Sequence, residues 1–92
     1  MRDAEGHITR DDALAHAADI ISATSLPVNG DLENGFGHSP DDVAETIRGA
    51  IEVGLAGCSI EDYTTDPQDP YYPLDQAVDR IKAAVDAKMS TA

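Results

Sequence analysis

Two short apolar runs, LPVNGD at 26–31 and LAGCSI at 55–60, each run into acidic residues, and a segment of helical periodicity separates them. Strands that are apolar throughout, rather than alternating, belong to parallel sheets whose neighbours are joined by crossover helices. The segments around them fit that plan. Thr9 is a helix N-cap, Asp11 and Asp12 follow in the first turn, and Leu14, Ala17, Ala18 and Ile21 recur at helical spacing to about Thr24. Pro27 ends that pattern, although Asn29 and Gly30 are weak strand formers. Ser39-Pro40-Asp41-Asp42 then supplies a cap, a first-turn proline and two first-turn acids. Val43, Ile47, Ala50 and Ile51 make the apolar face of this helix, and Gly54 stops it. Residues 63–73, YTTDPQDPYYP, hold three prolines and no periodicity, which predicts a loop. Leu74, Ala77, Val78, Ile81 and Val85 form the stripe of a last helix. The expected order is helix, strand, helix, strand, helix: an α/β chain with two parallel strands and three helices.

Spacing sharpens this expectation. Asp31 and Glu61 both close a strand and lie 30 positions apart. That is about the length of one βα unit, given roughly 250 residues for the eight units of a closed barrel. Acids at the C-terminal ends of neighbouring parallel strands point into one shared site. Two strands cannot close a barrel, however, and a two-stranded sheet is marginal alone. Residues 1–92 therefore read as a single partial α/β domain, a portion of a (β/α)8 TIM barrel. The alternative is assembly from several copies.

Composition limits the partners. Eighteen Asp and Glu against six Lys and Arg give a formal charge of −12. Such a balance argues against nucleic acid, which needs clustered cations, and against an anionic membrane surface. No 18 apolar residues run together, and MRDAEGHITRDD has no apolar leader, so a soluble, cytoplasmic protein is expected. The apolar fraction of 41% suits a globular chain, but with no Trp and one Phe the core is expected to be thin. One cysteine, Cys58, excludes an internal disulfide and a cysteine-rich zinc site, and within GLAGCSI it is expected as a small buried residue.

The candidate chemistry lies in Asp31, Glu33, Glu61 and Asp62. Oxygen-only ligands at separate strand ends suit Mg²⁺, which takes one or two carboxylates and keeps several waters. Such an ion polarises a carbonyl or holds an enolate oxygen. Gly35 and Gly37 would let the backbone approach a ligand and adopt positive φ. The plainer reading, solvated acids flanking a turn, stays open on spacing alone. An EF-hand does not fit: counted from Asp31, glycine is at position 5, Phe36 at 6 and Asp42 at 12. His7 and His16 read as surface or boundary residues, and His38 as a solvated loop histidine close to the glycines. Tyr71 and Tyr72 are expected to pack their loop. Arg80 and Lys82 fit a solvated helix face. Ser59 has no histidine base nearby in sequence.

LPVNGDLENGFG followed by VAETIRGAIEVGLAGCSIED resembles the isocitrate lyase/phosphoenolpyruvate mutase superfamily. Its members carry a strand reading PV-x-A-D-x-D-x-G-F/Y-G, a helix, and a strand ending in G-x-x-I-E-D. The resemblance extends from residue 9 to about 88. It implies a (β/α)8 barrel with Mg²⁺ at the top, acting on 2-oxo acids or their enolates and making or breaking C–C or P–C bonds. It further implies that Asp31 lies at the metal, that Glu33 and Glu61 hold waters on it, and that Gly35 and Gly37 form the substrate-binding loop. Asp62 matches the last motif acid. Gly30 replaces the family's usual alanine and Glu33 its usual aspartate. The K-K/R-C-G-H loop of the lyases, with its catalytic cysteine, is replaced by YTTDPQDPYYP. That departure implies the mutase-like branch rather than a typical isocitrate or methylisocitrate lyase.

The resemblance thus implies a lyase- or phosphonomutase-like enzyme with a small 2-oxo acid substrate. It covers the α2-β3-α3-β4-α4 stretch of such a barrel, so the 92-residue chain alone is expected to be inactive, and no residue is assigned a proton-transfer role. Completion by the remainder of the barrel or by homo-oligomerisation is expected. The alternative is a small acidic α/β module that binds or assembles without catalysis.

Overall fold

The computed structural model describes residues 8–91 of the chain. Three helices and two parallel strands follow in the expected order: α1 (Arg10–Ser22), β1 (Asn29–Asp31), α2 (Pro40–Val53), β2 (Gly57–Ser59) and α3 (Leu74–Thr91). His7 lies outside the described residues.

The helix boundaries come from local chemistry. Thr9 is extended at φ −84° and its hydroxyl accepts the Asp12 N–H at 3.1 Å, which starts α1. Ser39 and Asp42 form a reciprocal capping box at the start of α2, with Pro40 in the first turn. Gly54 ends α2 in the left-handed region at φ 95°, where a side chain would be strained.

The strands are shorter than the apolar runs suggest. β1 and β2 pair in parallel register as Asn29↔Gly57, Gly30↔Cys58 and Asp31↔Ser59. Leu26 and Pro27 stay outside β1, and Leu26 is exposed. Nor is β2 the buried strand the sequence implies, because Cys58 and Ser59 are exposed. Cys58 is therefore not the covered small residue expected of it. Burial in a parallel sheet comes from strands and helices on every side, and each strand here pairs with only one other among the described residues.

The core lies between α2 and α3. Val43, Ala44, Ile47 and Ala87 are buried together, with Ile51, Ile60, Ala83 and Ala84 packed against them. On α1, Ala17 is buried, and Leu14 reaches the helix α2 glycine, Gly49, where a β-carbon would crowd it. The α3 stripe is a second correction. Leu74, Val78, Ile81, Val85 and Met89 point outward, with Leu74 81% exposed, while the alanines at 83, 84 and 87 face α2. Small side chains permit the close approach of two helices, so the alanine face takes the contact. No helix of the described residues is long and apolar enough to cross a membrane.

Candidate functional site

The parallel pairing sets both strand C-termini side by side. Asp31 is the last residue of β1, and Glu61 comes two residues after β2 ends at Ser59. The ladder continues past the strands: the Leu32 N–H donates to the Ser59 carbonyl at 3.2 Å, and the Glu61 N–H to the Glu33 carbonyl at 2.7 Å. A main-chain bond thus ties the backbone of Glu33 to that of Glu61.

The side chains are less convergent. Asp31 and Glu33 line the same hollow, of about 520 Å³, between β1 and α1. Glu33 also borders a smaller one of about 330 Å³ with Arg10, Asn34, Gly37 and His38. Glu61 and Asp62 instead open into a different hollow of about 850 Å³, against Val78 and Ile81 of α3. Among the described residues no three His, Cys, Asp or Glu side chains stand close enough together to hold an ion on their own.

Asp31 organises its own loop, since its Oδ1 accepts the Glu33 N–H at 3.0 Å. Beyond it the backbone is left-handed at Glu33 (φ 53°), Gly35 (φ 85°) and Phe36 (φ 62°). Only Gly35 adopts this conformation without a side-chain penalty. The missing β-carbons of the two glycines serve α2. One on Gly35 would press on Val43 at 3.1 Å, and one on Gly37 would overlap the Asp42 side chain. Gly37 is not in the left-handed region, so its need for glycine is steric.

What holds this strained loop was not legible as a motif. Among the described residues four polar ones are buried: Asn34, Thr46, Thr64 and Arg80. Two of them, Thr46 and Arg80, grip the loop from the helices, and Asn34 lies within it. Thr46 on α2 is fully buried; its hydroxyl donates to the Gly35 carbonyl at 2.5 Å and accepts the Arg10 Nε–H at 2.7 Å. Arg80 reaches across from α3. It is 1% exposed, not on a solvated face as its sequence position suggests. Its Nη1 donates to the Gly37 and His38 carbonyls, both at 2.7 Å, and its Nη2 to the Asn34 carbonyl. The guanidinium lies 4.1 Å from the centroid of the Tyr72 ring, a cation–π contact. Burial pulls the Arg80 pKa down, opposed by Tyr72, Asp42 and Asp62, yet so strong a base keeps its charge.

Tyr72 links the two loops. Its hydroxyl accepts from Asn34 Nδ2 at 3.2 Å and lies 2.7 Å from His38 Nδ1, with the rings edge to face. His38 is exposed, as expected, but it is not a purely solvated residue. The YTTDPQDPYYP segment is ordered by a Tyr63–Tyr71 bridge, by the Thr64 N–H to Pro70 carbonyl bond at 2.7 Å, and by Thr64 Oγ1 donating to the Asp69 carbonyl at 2.5 Å. Tyr72 is buried and Tyr71 is exposed. The signal for Arg80 was its phase: it lies on the alanine side of α3, three and seven residues before Ala83 and Ala87.

Comparison with known proteins places this arrangement. The family model for phosphoenolpyruvate phosphomutase matches residues 1–92. The 2-methylisocitrate lyase of Escherichia coli K12 is 39% identical over 89 residues, which are 90% of this chain and 30% of that protein. Among solved structures, a lyase/mutase candidate from Burkholderia cenocepacia J2315 superimposes with a TM-score of 0.87 at 54% identity, again over 90% of this chain and 30% of the other. A 2,3-dimethylmalate lyase of the PEP mutase/isocitrate lyase superfamily gives 0.83 at 34% identity, over 94% and 29%. The chain spans about a third of the length of the proteins it matches.

Proposed function

The chain belongs to the phosphoenolpyruvate phosphomutase family, and from that premise we propose that it forms part of a Mg²⁺-dependent enzyme acting on 2-oxo acids or their enolates. The reaction makes or breaks a C–C or P–C bond. One observation carries the reading most directly: the parallel register brings Asp31, Glu33 and Glu61 to adjacent strand ends, with Glu61 tied to Glu33 by a 2.7 Å main-chain bond.

The donor set fits a hard cation, being all oxygen. Mg²⁺ takes one or two carboxylates and keeps several waters, so the three acids need not all touch the ion. Asp31 would contact the ion, and Glu33 and Glu61 would hold waters on it. When bound, Mg²⁺ supplies charge to offset the repulsion between an anionic substrate and these carboxylates, and it polarises the 2-oxo group. The chain's own residues orient. Asp31 fixes the turn through the Glu33 N–H, and Gly35 and Gly37 let the loop that follows pack closely on α2. The 63–73 segment lies over the loop through Tyr72 and His38, and it contains no cysteine to serve as a lyase acid. That supports mutase-like chemistry.

The strand edges unpaired among the described residues and the exposed α3 stripe call for further strands and helices, supplied by the remainder of the barrel or by other copies. A cytoplasmic setting agrees with the acidic surface. The exposed stripe also favours a second reading, an acidic assembly module without catalysis.

Thermal unfolding of the chain with and without Mg²⁺ tests the metal reading. At about ten times the dissociation constant, binding to the folded state alone adds about 1.4 kcal/mol. For a chain this size that raises Tm by about 6–11 °C. Asp31→Asn should abolish the rise. An unchanged melting curve at millimolar Mg²⁺ rejects the site in this chain.

A further inference from the structure

Arg80 is buried, charged and unused by the chemistry above. It sits on α3, away from both strands, yet all its described hydrogen bonds run to the loop that carries the acids: the carbonyls of Asn34, Gly37 and His38. Those carbonyls belong to a segment that needs restraint. Glu33 and Phe36 hold positive φ without being glycine, and such backbone persists only where the surroundings over-determine it. A guanidinium is suited to the task because its planar fork presents several N–H groups in fixed relation, whereas an ammonium is a single mobile point. Tyr72, packed on the guanidinium face, keeps the fork from tilting and bonds Asn34 through its hydroxyl.

We propose that Arg80 is a positioning residue for the metal-binding loop, fixing the left-handed backbone at Glu33 and with it the placement of the Asp31 and Glu33 carboxylates. The proposal rests on the Mg²⁺ reading above. It follows from connectivity: the Asn34 carbonyl that Arg80 holds is in the residue next to Glu33, and the Glu33 carbonyl in turn accepts the Glu61 N–H. One side chain on α3 therefore sets the loop after β1 and, through it, the acid after β2. A residue that only filled space in the core would stabilise all of these elements alike. A fork that holds the loop stabilises the loop in particular.

The test uses the whole chain as wild type, Arg80→Lys and Arg80→Met. Amide hydrogen exchange is followed at Gly35, Phe36 and Glu61, whose N–H groups bond to the Leu32 carbonyl, the Asn34 side chain and the Glu33 carbonyl. The α2 amides of Ile47 and Ala50 serve as internal reference. Mn²⁺ affinity is read in parallel from the free-ion paramagnetic resonance signal. Both substitutions should speed exchange at the loop amides about tenfold or more relative to α2. They should also weaken Mn²⁺ binding about tenfold, the lower end of what orienting residues contribute at metal sites. Equal loss of protection in loop and helix overturns the proposal, as does an Arg80→Lys protein that matches wild type in both measurements. Should Arg80→Met not fold, Arg80→Lys carries the same comparison. If wild type binds no Mn²⁺, the metal reading fails by itself, and the exchange pattern still upholds or overturns the hold of Arg80 on the loop.

Discussion

Replacing Thr46 by valine removes one hydroxyl and almost no volume, so it isolates a single polar link between α2 and the acidic loop. The hydroxyl lies in a fully buried side chain, donating to the Gly35 carbonyl at 2.5 Å and accepting from Arg10 at 2.7 Å. Valine leaves the Gly35 carbonyl without this donor in a buried place, at a cost of about 1–3 kcal/mol. Arg10 is only half-buried and also donates to the Asp42 carbonyl at 3.2 Å, so water compensates much of its loss. Helix propensity contributes little, because Thr and Val rank together. The expected total is about 2–3 kcal/mol. Thr46→Ser makes the opposite change, keeping the hydroxyl and losing one methyl, at about 1 kcal/mol. Urea unfolding followed by circular dichroism should rank wild type above serine and serine above valine, with equal m values. For a chain this size the valine protein should melt about 10–20 °C below wild type. Valine as stable as wild type, or more stable than serine, would refute the claim that this hydroxyl holds the loop.

Two further outcomes are expected. Gly37→Ala drives a β-carbon into the Asp42 side chain, so it should break the capping box of α2 and cost about 1–2 kcal/mol, with exchange rising first at the Asp42 and Val43 amides; unchanged protection there would contradict it. Partial burial of the sulfur raises the Cys58 thiol above its ordinary pKa of 9.0 although the residue as a whole is exposed, so the pH profile of iodoacetamide alkylation should have its midpoint above that of the urea-unfolded chain. By linkage, the stability this thiol contributes is fully present below the unfolded pKa and is lost as pH rises through the folded value; a midpoint at or below that of the unfolded chain would remove the argument.

Much of the architecture was legible because it is written in neighbouring residues. Thr9, the Ser39–Asp42 box and Gly54 act within one helical turn, so their effect follows from the local chain. The two acidic strand ends were legible too, since apolar runs one βα unit apart can pair in parallel only with their C-termini together. The errors share one cause. Cys58, the α3 stripe and Arg80 were each judged by residue type, and each depends on what another segment places beside it. Cys58 is exposed because β2 pairs on one side only among the described residues. The larger apolar residues of α3 face outward because its alanines fit α2 more closely.

The sequence alone determines where α1 and α2 begin and where α2 ends, the parallel sense of the strands and the placing of Asp31 and Glu61 at or just past their C-terminal ends. These are consequences of capping, periodicity and spacing. Only the tertiary structure decides that Arg80 is buried, that Thr46 holds Gly35, and that Tyr72 ties the proline-rich segment to His38. The loop's positive φ values turn its carbonyls toward the helices, and those carbonyls need donors. Which side chains answer is set by how α2 and α3 pack, over separations of 34 to 46 residues for the Tyr72–His38 and Arg80–Asn34 contacts that no local pattern encodes.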